Sequence, residues 1–207
     1  MAKSPKPRVP PDAAVRTRRA YFDCRFGQLH VRTAFPTTGG FDEQVTVFCL
    51  HPGGSTSRIF DRFLPLFAAQ RSVYAPDLPG CGESDLGPDV LPYTSALAVA
   101  DLAAELRLPQ IDLVGLQGGA KVAIELALRQ PELVRRLVLV GLDAADVHGG
   151  LTHRCLWFAL GAASAQLAVP RLAPHSEVQD AREYAPDLFD AAPKTLAERF
   201  ASFLSLP

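Results

Sequence analysis

The stretch that decides the fold is residues 111–123, with the sequence IDLVGLQGGAKVA. It begins with a short apolar run rich in branched residues, which is typical of a buried strand. Glycines then follow at 115, 118 and 119, and such clustering indicates a tight turn of the chain. The segment after the turn is predicted to be a helix that Pro131 ends. We therefore expect a strand, a sharp turn and a helix in direct succession.

The turn itself, Gly-Leu-Gln-Gly-Gly at 115–119, has the spacing of the G-x-S-x-G nucleophile elbow. In that motif the central serine sits on a strained turn, with its hydroxyl exposed above the sheet. Here the central residue is Gln117, whose amide has no electron pair nucleophilic enough to attack a carbonyl and no proton that a histidine would take. The sequence predicts the architecture of the elbow without its usual chemistry.

Composition sets the broad class of the protein. The chain has 207 residues, of which 48% are hydrophobic and 21% charged, as expected for one globular domain. Its net charge of −1 gives no electrostatic case for binding nucleic acid or an anionic membrane. The four cysteines, at 24, 49, 81 and 155, lie too far apart for a zinc motif, so we expect reduced thiols in a cytoplasmic protein with no metal or cofactor.

Two segments bear on targeting. Residues 1–19 are basic and contain several prolines but no apolar stretch, so they predict a flexible basic tail rather than a secretory signal. The longest apolar run extends from 155 to 169, which is shorter than the roughly 20 residues that a membrane helix needs. We interpret this run as a buried or pocket-lining helix.

The order of the remaining elements predicts an α/β core at 20–143 and a helical cap or lid at 144–207. Apolar runs predict strands at 21–26, 29–34, 44–50, 72–75, 111–116 and 134–142. Helices are predicted at 57–69, at 94–107 and from the elbow to 130. After residue 143 the pattern predicts helices only, at 152–167, 177–184 and 194–205. Alternating strands and helices indicate a mostly parallel sheet.

Three motifs in one order give a resemblance to a known family. They are LHPGG at 50–54, APDLPGCGESD at 75–85, and the elbow with its following helix and PELVRRLVL at 131–139. Together they resemble the α/β-hydrolase superfamily, in particular its esterase, epoxide-hydrolase and dehalogenase-like branch. The resemblance implies a mostly parallel sheet flanked by helices, with a helical cap above it.

The chain departs from the family pattern in two places. No serine lies between Ser95 and Ser164, so no shifted alignment replaces Gln117 with one. The family usually has two further strands after the cap, with the catalytic acid after the first and the catalytic histidine after the last. We expect these C-terminal strands to be absent, because residues 144–207 have the pattern of a cap. An interrupted reading frame or a fragment of a longer protein is an open alternative.

Several residues stay candidates for a site. In some relatives the acid directly follows the strand that corresponds to 136–140, so Asp143 is a candidate acid, with a loop or capping role as the alternative. His51 is a candidate general base, although the family's histidine at this place usually serves the hydrogen bonding of its loop. The other histidines are interpreted as structural or surface residues: His30, His148, His153 and His175.

The resemblance also implies an oxyanion hole made of backbone N–H groups, one from Gly53 or Gly54 and one from Gly118. Such a hole does not depend on the missing side chain, so it can bind a small apolar carbonyl or carboxylate ligand. The amide of Gln117 would either fill the hole or hydrogen-bond a bound ligand, and the sequence does not choose between these roles.

Three functions remain open at this point: a family member that is inactive or atypical as a serine hydrolase, a module that binds a small molecule or a partner in the old pocket, and an enzyme without a triad that uses the oxyanion hole on a carbonyl substrate.

If the later strands are absent, the strand at 136–140 has an exposed apolar edge. We then expect a homodimer through that edge, its cover by the last helix, or poor solubility.

Overall fold

The computed structural model describes residues 15, 17–36, 44–69, 71–142, 151–159, 177–180 and 193–205, with only the backbone described at 157–159 and 177–180. The strands are β1 Arg18–Cys24, β2 Gly27–Ala34, β3 Thr46–Leu50, β4 Val73–Pro76, β5 Ile111–Leu116, β6 Val134–Leu142, β7 Arg154–Ala159 and β8 Glu177–Asp180. The described α-helices are α1 Leu64–Phe67, α2 Pro92–Glu105, α3 Gly118–Arg129 and α4 Pro193–Leu204. A short 3₁₀ helix, Ser57–Phe60, precedes α1.

One sheet contains all eight strands in the order β1-β2-β4-β3-β5-β6-β7-β8. β2 is antiparallel to both of its neighbours, and the other pairings are parallel. The predicted sheet, mostly parallel and flanked by helices, is confirmed. β4 and β5 lie on opposite sides of β3, so the connections after β3 and β5 leave the sheet in opposite directions. In open α/β sheets a ligand crevice forms at such a switch point, outside the carboxyl ends of the strands.

The sheet separates two apolar layers, since side chains alternate between its faces along each strand. Phe48 and Leu113 face the layer made with α2 and α3. Val47 and Val114 face the layer made with α1 and α4. Cys49 is buried in this second layer as a small apolar side chain, and burial raises the pKa of its thiol. Both faces of the parallel strands are covered, which explains their nearly continuous apolar sequences.

The prediction of helices alone after residue 143 is wrong. Arg154–Ala159 forms a strand parallel to β6, where a helix was expected at 152–167. Glu177–Asp180 forms a further strand parallel to β7, where a second helix was expected. Strands beyond β6 are therefore present. The periodicity of a short apolar run fits a buried strand and a buried helix equally well. Here the run forms a strand because it pairs with β6.

The last predicted helix is confirmed as α4, but it belongs to the core rather than to a cap. Its apolar face buries Leu196, Phe200 and Phe203 in the same layer as α1. The ring of Phe200 meets that of Phe63 edge to face, with centroids 5.7 Å apart. Edge-to-face packing of this kind adds to the stabilisation from burial.

Two further expectations change with these contacts. β7 pairs with the edge of β6 that was expected to be exposed, so the ground for a homodimer through that edge is removed. Most of the predicted tail at 1–19 lies outside the described residues, and Arg18 and Arg19 already belong to β1. Among the described helices, none has the length and apolar character needed to cross a membrane.

Candidate functional site

The strand–turn–helix predicted at 111–123 is confirmed as β5, Gln117 and α3. Gln117 has φ +46° and ψ −109°, a conformation that side-chain-bearing residues seldom adopt. A residue held in such a region costs about 1–3 kcal/mol and persists only where the surrounding structure enforces it. Here the N–H of Gln117 donates to the carbonyl oxygen of Val140 in β6 at 2.7 Å, which ties the turn to the neighbouring strand.

The glycines of the elbow allow α3 to begin directly against the sheet. A Cβ atom on Gly115 would lie 2.5 Å from the Cα of Ala120. A Cβ atom on Gly119 would lie 2.5 Å from the carbonyl carbon of Leu50 and 2.6 Å from the carbonyl oxygen of His51. Real Cβ atoms do not approach so closely, so both positions require glycine. The first turn of α3 therefore touches the end of β3.

This contact brings together two of the predicted N–H donors. A Cβ atom on Gly118 would lie 2.9 Å from the nitrogen of Gly53, so the two backbones are in direct contact. Neither N–H donates a hydrogen bond to any residue in the described part of the chain. The space beside Gly53 is open, because nothing lies within 4 Å of a Cβ built there. Among the described residues, Gly53 and Gly118 thus form a pair of N–H groups without an acceptor, beside the start of α3.

Gly53, and not the alternative donor Gly54, is in contact with the elbow. The nitrogen and Cα of Gly53 are among the three atoms nearest to a Cβ built on Gly118. Of the two glycines left open by the sequence, Gly53 is the one that faces Gly118.

The Gln117 side chain leaves the elbow toward the end of β6. Its Cγ lies 3.0 Å from where a Cβ of Gly141 would stand, and Gly141 has φ +73° at a break in the pairing register of β6 with β7. The carboxamide is exposed and makes no hydrogen bond with a described residue. It does not occupy the pair of N–H groups at Gly53 and Gly118.

His51 is buried directly after β3, and both of its ring nitrogens are engaged. Nδ1 lies 2.8 Å from the carbonyl oxygen of Pro52, to which it donates, and Nε2 accepts from the N–H of Leu78 at 2.9 Å. Burial lowers the pKa of His51 below its ordinary value, although Pro52 and Asp77 act in the opposite direction. The ring is neutral and joins two loops, which leaves no free nitrogen to take a proton from a substrate.

This environment makes stability depend on pH. The pKa of His51 is lower in the folded protein than the ordinary 6.5 of an unfolded chain. Below about pH 6.5 the unfolded state therefore binds a proton that the folded state does not. We expect the free energy of unfolding to fall between pH 7 and pH 5, by up to about 1.4 kcal/mol per pH unit for this one proton. A His51→Asn variant should show a shallower dependence in urea titrations, and equal slopes in both proteins would contradict the assignment.

The structure adds a residue that sequence reasoning missed. Asp77 follows β4 and is 2% exposed, and its carboxylate accepts from the N–H of Ser57 at 2.6 Å, the N–H of Glu83 at 3.1 Å and Nδ1 of His30 at 2.8 Å. Burial acts to raise the pKa of Asp77, but hydrogen bonds from Ser57, Glu83 and His30 together hold it below its usual value. The available signal was an aspartate between a buried strand and a glycine-rich loop.

None of the other candidates is seen to contact Gln117, Gly53 or Gly118 within the described residues. Asp143, His148 and His175 lie outside them. His30 is bound to Asp77, as described above. Nε2 of His153 lies 3.1 Å from the carbonyl oxygen of Pro131, before β6 begins, and so at the amino end of the sheet.

Comparison with known proteins agrees with this fold. The family model described as the alpha/beta hydrolase family matches residues 47–207, and the chain belongs to that family. Among solved structures, carboxylesterase CesB from Bacillus subtilis superposes with a TM-score of 0.74 at 18% identity, over 91% of this chain and 92% of that one. Naproxen esterase from the same organism gives 0.77 at 15% identity, over 92% of each chain. At these identities the structures show a shared fold.

Relatives by sequence cover less of the chain. Pimeloyl-[acyl-carrier protein] methyl ester esterase from Neisseria meningitidis is 38% identical over 93 residues, which are 45% of this chain and 34% of that protein. The 2-hydroxymuconate semialdehyde hydrolase of a Pseudomonas species is 34% identical over 116 residues, which are 54% of this chain and 40% of that protein. The chain thus matches less than half the length of these relatives.

Proposed function

We propose that this protein binds a small, largely apolar molecule through its carbonyl or carboxylate oxygen, and that it does not hydrolyse esters through a covalent serine intermediate. One observation carries the proposal. The elbow presents a carboxamide, Gln117, beside the unbonded N–H groups of Gly53 and Gly118. An amide side chain forms no acyl intermediate, whereas the two N–H groups remain available to an oxygen atom.

The backbone geometry suits an oxygen that carries negative charge. The N–H groups at the start of a helix point toward the ligand, and the helix dipole favours an anion there. Preorganised N–H pairs of this kind stabilise oxyanions in acyl-transfer enzymes. A carboxylate, or a polarised carbonyl, is therefore the group that Gly53 and Gly118 would hold. Gln117 would then hydrogen-bond a second polar atom of the ligand.

Asp143 stays a candidate acid after β6, but two other places where the resemblance puts the partners of a catalytic serine lack the expected residue types. The residues that follow β7 in the sequence, 160–163, include no carboxylate. Those that follow β8, 181–184, include no histidine. His51 would be the base of an alternative enzyme without a triad, but its two nitrogens are bound to Pro52 and Leu78. The geometry therefore favours binding over both kinds of catalysis.

A covalent probe tests the absence of a serine nucleophile. After incubation with a fluorophosphonate, we expect the intact mass of the protein to be unchanged, because the reagent needs an activated hydroxyl. A serine esterase in the same buffer is the positive control. Stoichiometric addition of the phosphonyl group would overturn the proposal, and peptide mapping would then locate the nucleophile.

Binding itself is tested by thermal unfolding with butyrate, hexanoate and phenylacetate. A ligand at 100 times its dissociation constant stabilises the folded state by about 2.7 kcal/mol, which raises the melting temperature measurably. Gly118→Ala should abolish the shift, since its Cβ would lie 2.9 Å from the nitrogen of Gly53. Glu132→Ala, an exposed residue just before β6, is the matched control and should keep it. Equal shifts in both variants would contradict the site.

A further inference from the structure

We infer that Asp77 is a positioning residue of this site, which locks the loop of residues 51–57 onto the loop of residues 77–84 and so holds the Gly53 N–H in place. We call these two segments the paired loops. The expected effect on ligand affinity rests on the proposed function, whereas the effect on the paired loops does not.

Two side chains join the paired loops, and each loop contributes one of them. His51, from the first loop, accepts the N–H of Leu78 in the second at 2.9 Å. Asp77, from the second loop, accepts the N–H of Ser57 in the first at 2.6 Å. Gly53 lies between His51 and Ser57, so both ends of its loop are hydrogen-bonded to the loop of residues 77–84. Loss of either hydrogen bond would let the Gly53 N–H move relative to α3.

Asp77 is itself held too tightly to follow a displaced loop. His30 in β2 anchors one carboxylate oxygen at 2.8 Å, and the N–H of Glu83 reaches the same oxygen at 3.1 Å. Gly82, at φ +55°, passes so close that a Cβ there would lie 2.5 Å from the Cγ of Asp77. The hydroxyl of Ser84 donates to the carbonyl oxygen of Asp77 at 2.6 Å, which fixes the backbone as well. The carboxylate is therefore a rigid reference point for Ser57.

The chemistry of this cluster requires a carboxylate rather than an amide. Asp77 accepts three N–H groups from three segments of the chain, and an ionised carboxylate can accept all of them. An asparagine of the same size has one acceptor oxygen, and its NH₂ group would face at least one of these donors. In Asp77→Asn at least one of these hydrogen bonds is therefore lost, while the volume of the side chain is kept.

Two variants and one control test the inference. Asp77→Asn removes hydrogen-bond acceptors. Gly82→Ala keeps the carboxylate of Asp77 but adds a methyl group that clashes with it. If one variant does not fold, the other still tests the role of Asp77. Asp101→Asn is the control, because Asp101 in α2 likewise accepts a backbone N–H, that of Arg25 at 2.9 Å, but lies outside the paired loops. Amide hydrogen exchange and the affinity for butyrate are measured for each protein.

In Asp77→Asn and Gly82→Ala we expect faster exchange at Ser57, and also at Leu78, whose N–H is bonded to His51 and not to Asp77. The affinity for butyrate should fall about tenfold or more, as the loss of a charged hydrogen bond predicts. Asp101→Asn should change neither measurement. Wild-type exchange at Leu78 in both variants would overturn the inference. If the wild-type protein binds no carboxylate, the proposed function fails, and exchange at Leu78 still decides the role of Asp77.

Discussion

Gly119→Ala is expected to destabilise the protein by about 3 kcal/mol or more, since overpacking against backbone lies at the upper end of such costs. The added methyl group would lie 2.5 Å from the carbonyl carbon of Leu50 and 2.6 Å from the carbonyl oxygen of His51. Neither atom can rotate away, because both belong to the backbone at the end of β3. The start of α3 would have to leave the sheet, and the Gly118 N–H would move with it.

The matched control for this prediction is Gly53→Ala. A Cβ at Gly53 meets nothing within 4 Å, so its stability should stay within about 1 kcal/mol of wild type. Both free energies of unfolding are measured in urea at pH 7. Equal stabilities for Gly119→Ala and Gly53→Ala would mean that β3 and α3 are not in contact as described.

Asp112→Ala is expected to cost about 3–5 kcal/mol, because it removes one partner of a buried ion pair. Asp112 is fully buried at the second residue of β5 and accepts two hydrogen bonds from Arg135, at 2.9 and 2.5 Å. Arg71, also buried, lies 3.5 Å away. Removing the carboxylate would take away the anion that these two guanidinium groups share.

The same change should loosen α4. Arg135 also donates to the carbonyl oxygen of Leu204 at 2.7 Å, and Arg136 donates to that of Phe203 at 3.0 Å. Cations at the carboxyl end of a helix stabilise it, so Asp112 orients the arginine that holds α4 on the sheet. In Asp112→Ala we expect faster amide exchange in α4 as well as lower global stability.

Glu125→Ala is the control for Asp112→Ala. Glu125 also accepts from an arginine, Arg129 at 2.5 Å, but this pair lies on the exposed side of α3. Surface pairs spaced by four residues contribute about 0.3–0.5 kcal/mol. A loss in Asp112→Ala as small as the loss in Glu125→Ala would show that the buried cluster does not hold the fold together.

The elbow could be predicted from sequence because its signals are local. The glycines at 115, 118 and 119 mark the tight turn within a few residues, and the apolar run before them has the pattern of a buried strand. The N–H pair of Gly53 and Gly118 was implied by the resemblance to the α/β-hydrolase superfamily, and in the structure the parallel neighbours β3 and β5 end at the same edge. These inferences needed only the order of the motifs.

The rest depended on contacts between distant residues. The run that begins at Cys155 is a strand because β6 lies beside it, and nothing within the run itself distinguishes that outcome from a helix. Asp77 was overlooked because its role depends on His30 and Ser57, which are far from it in sequence and come from other elements. The helix predicted at 57–69 is divided into a 3₁₀ turn and the short α1, with Pro65 in its first turn.

The most direct test of the central claim is an NMR titration of the ¹⁵N-labelled protein with butyrate. The amide resonances of Gly53 and Gly118 should shift together and saturably, as expected when both N–H groups hold one carboxylate. Methyl butyrate, incubated with the same sample, should remain intact. Unshifted resonances at Gly53 and Gly118, or release of methanol from the ester that is lost in Gln117→Ala, would contradict a binding site without covalent hydrolysis.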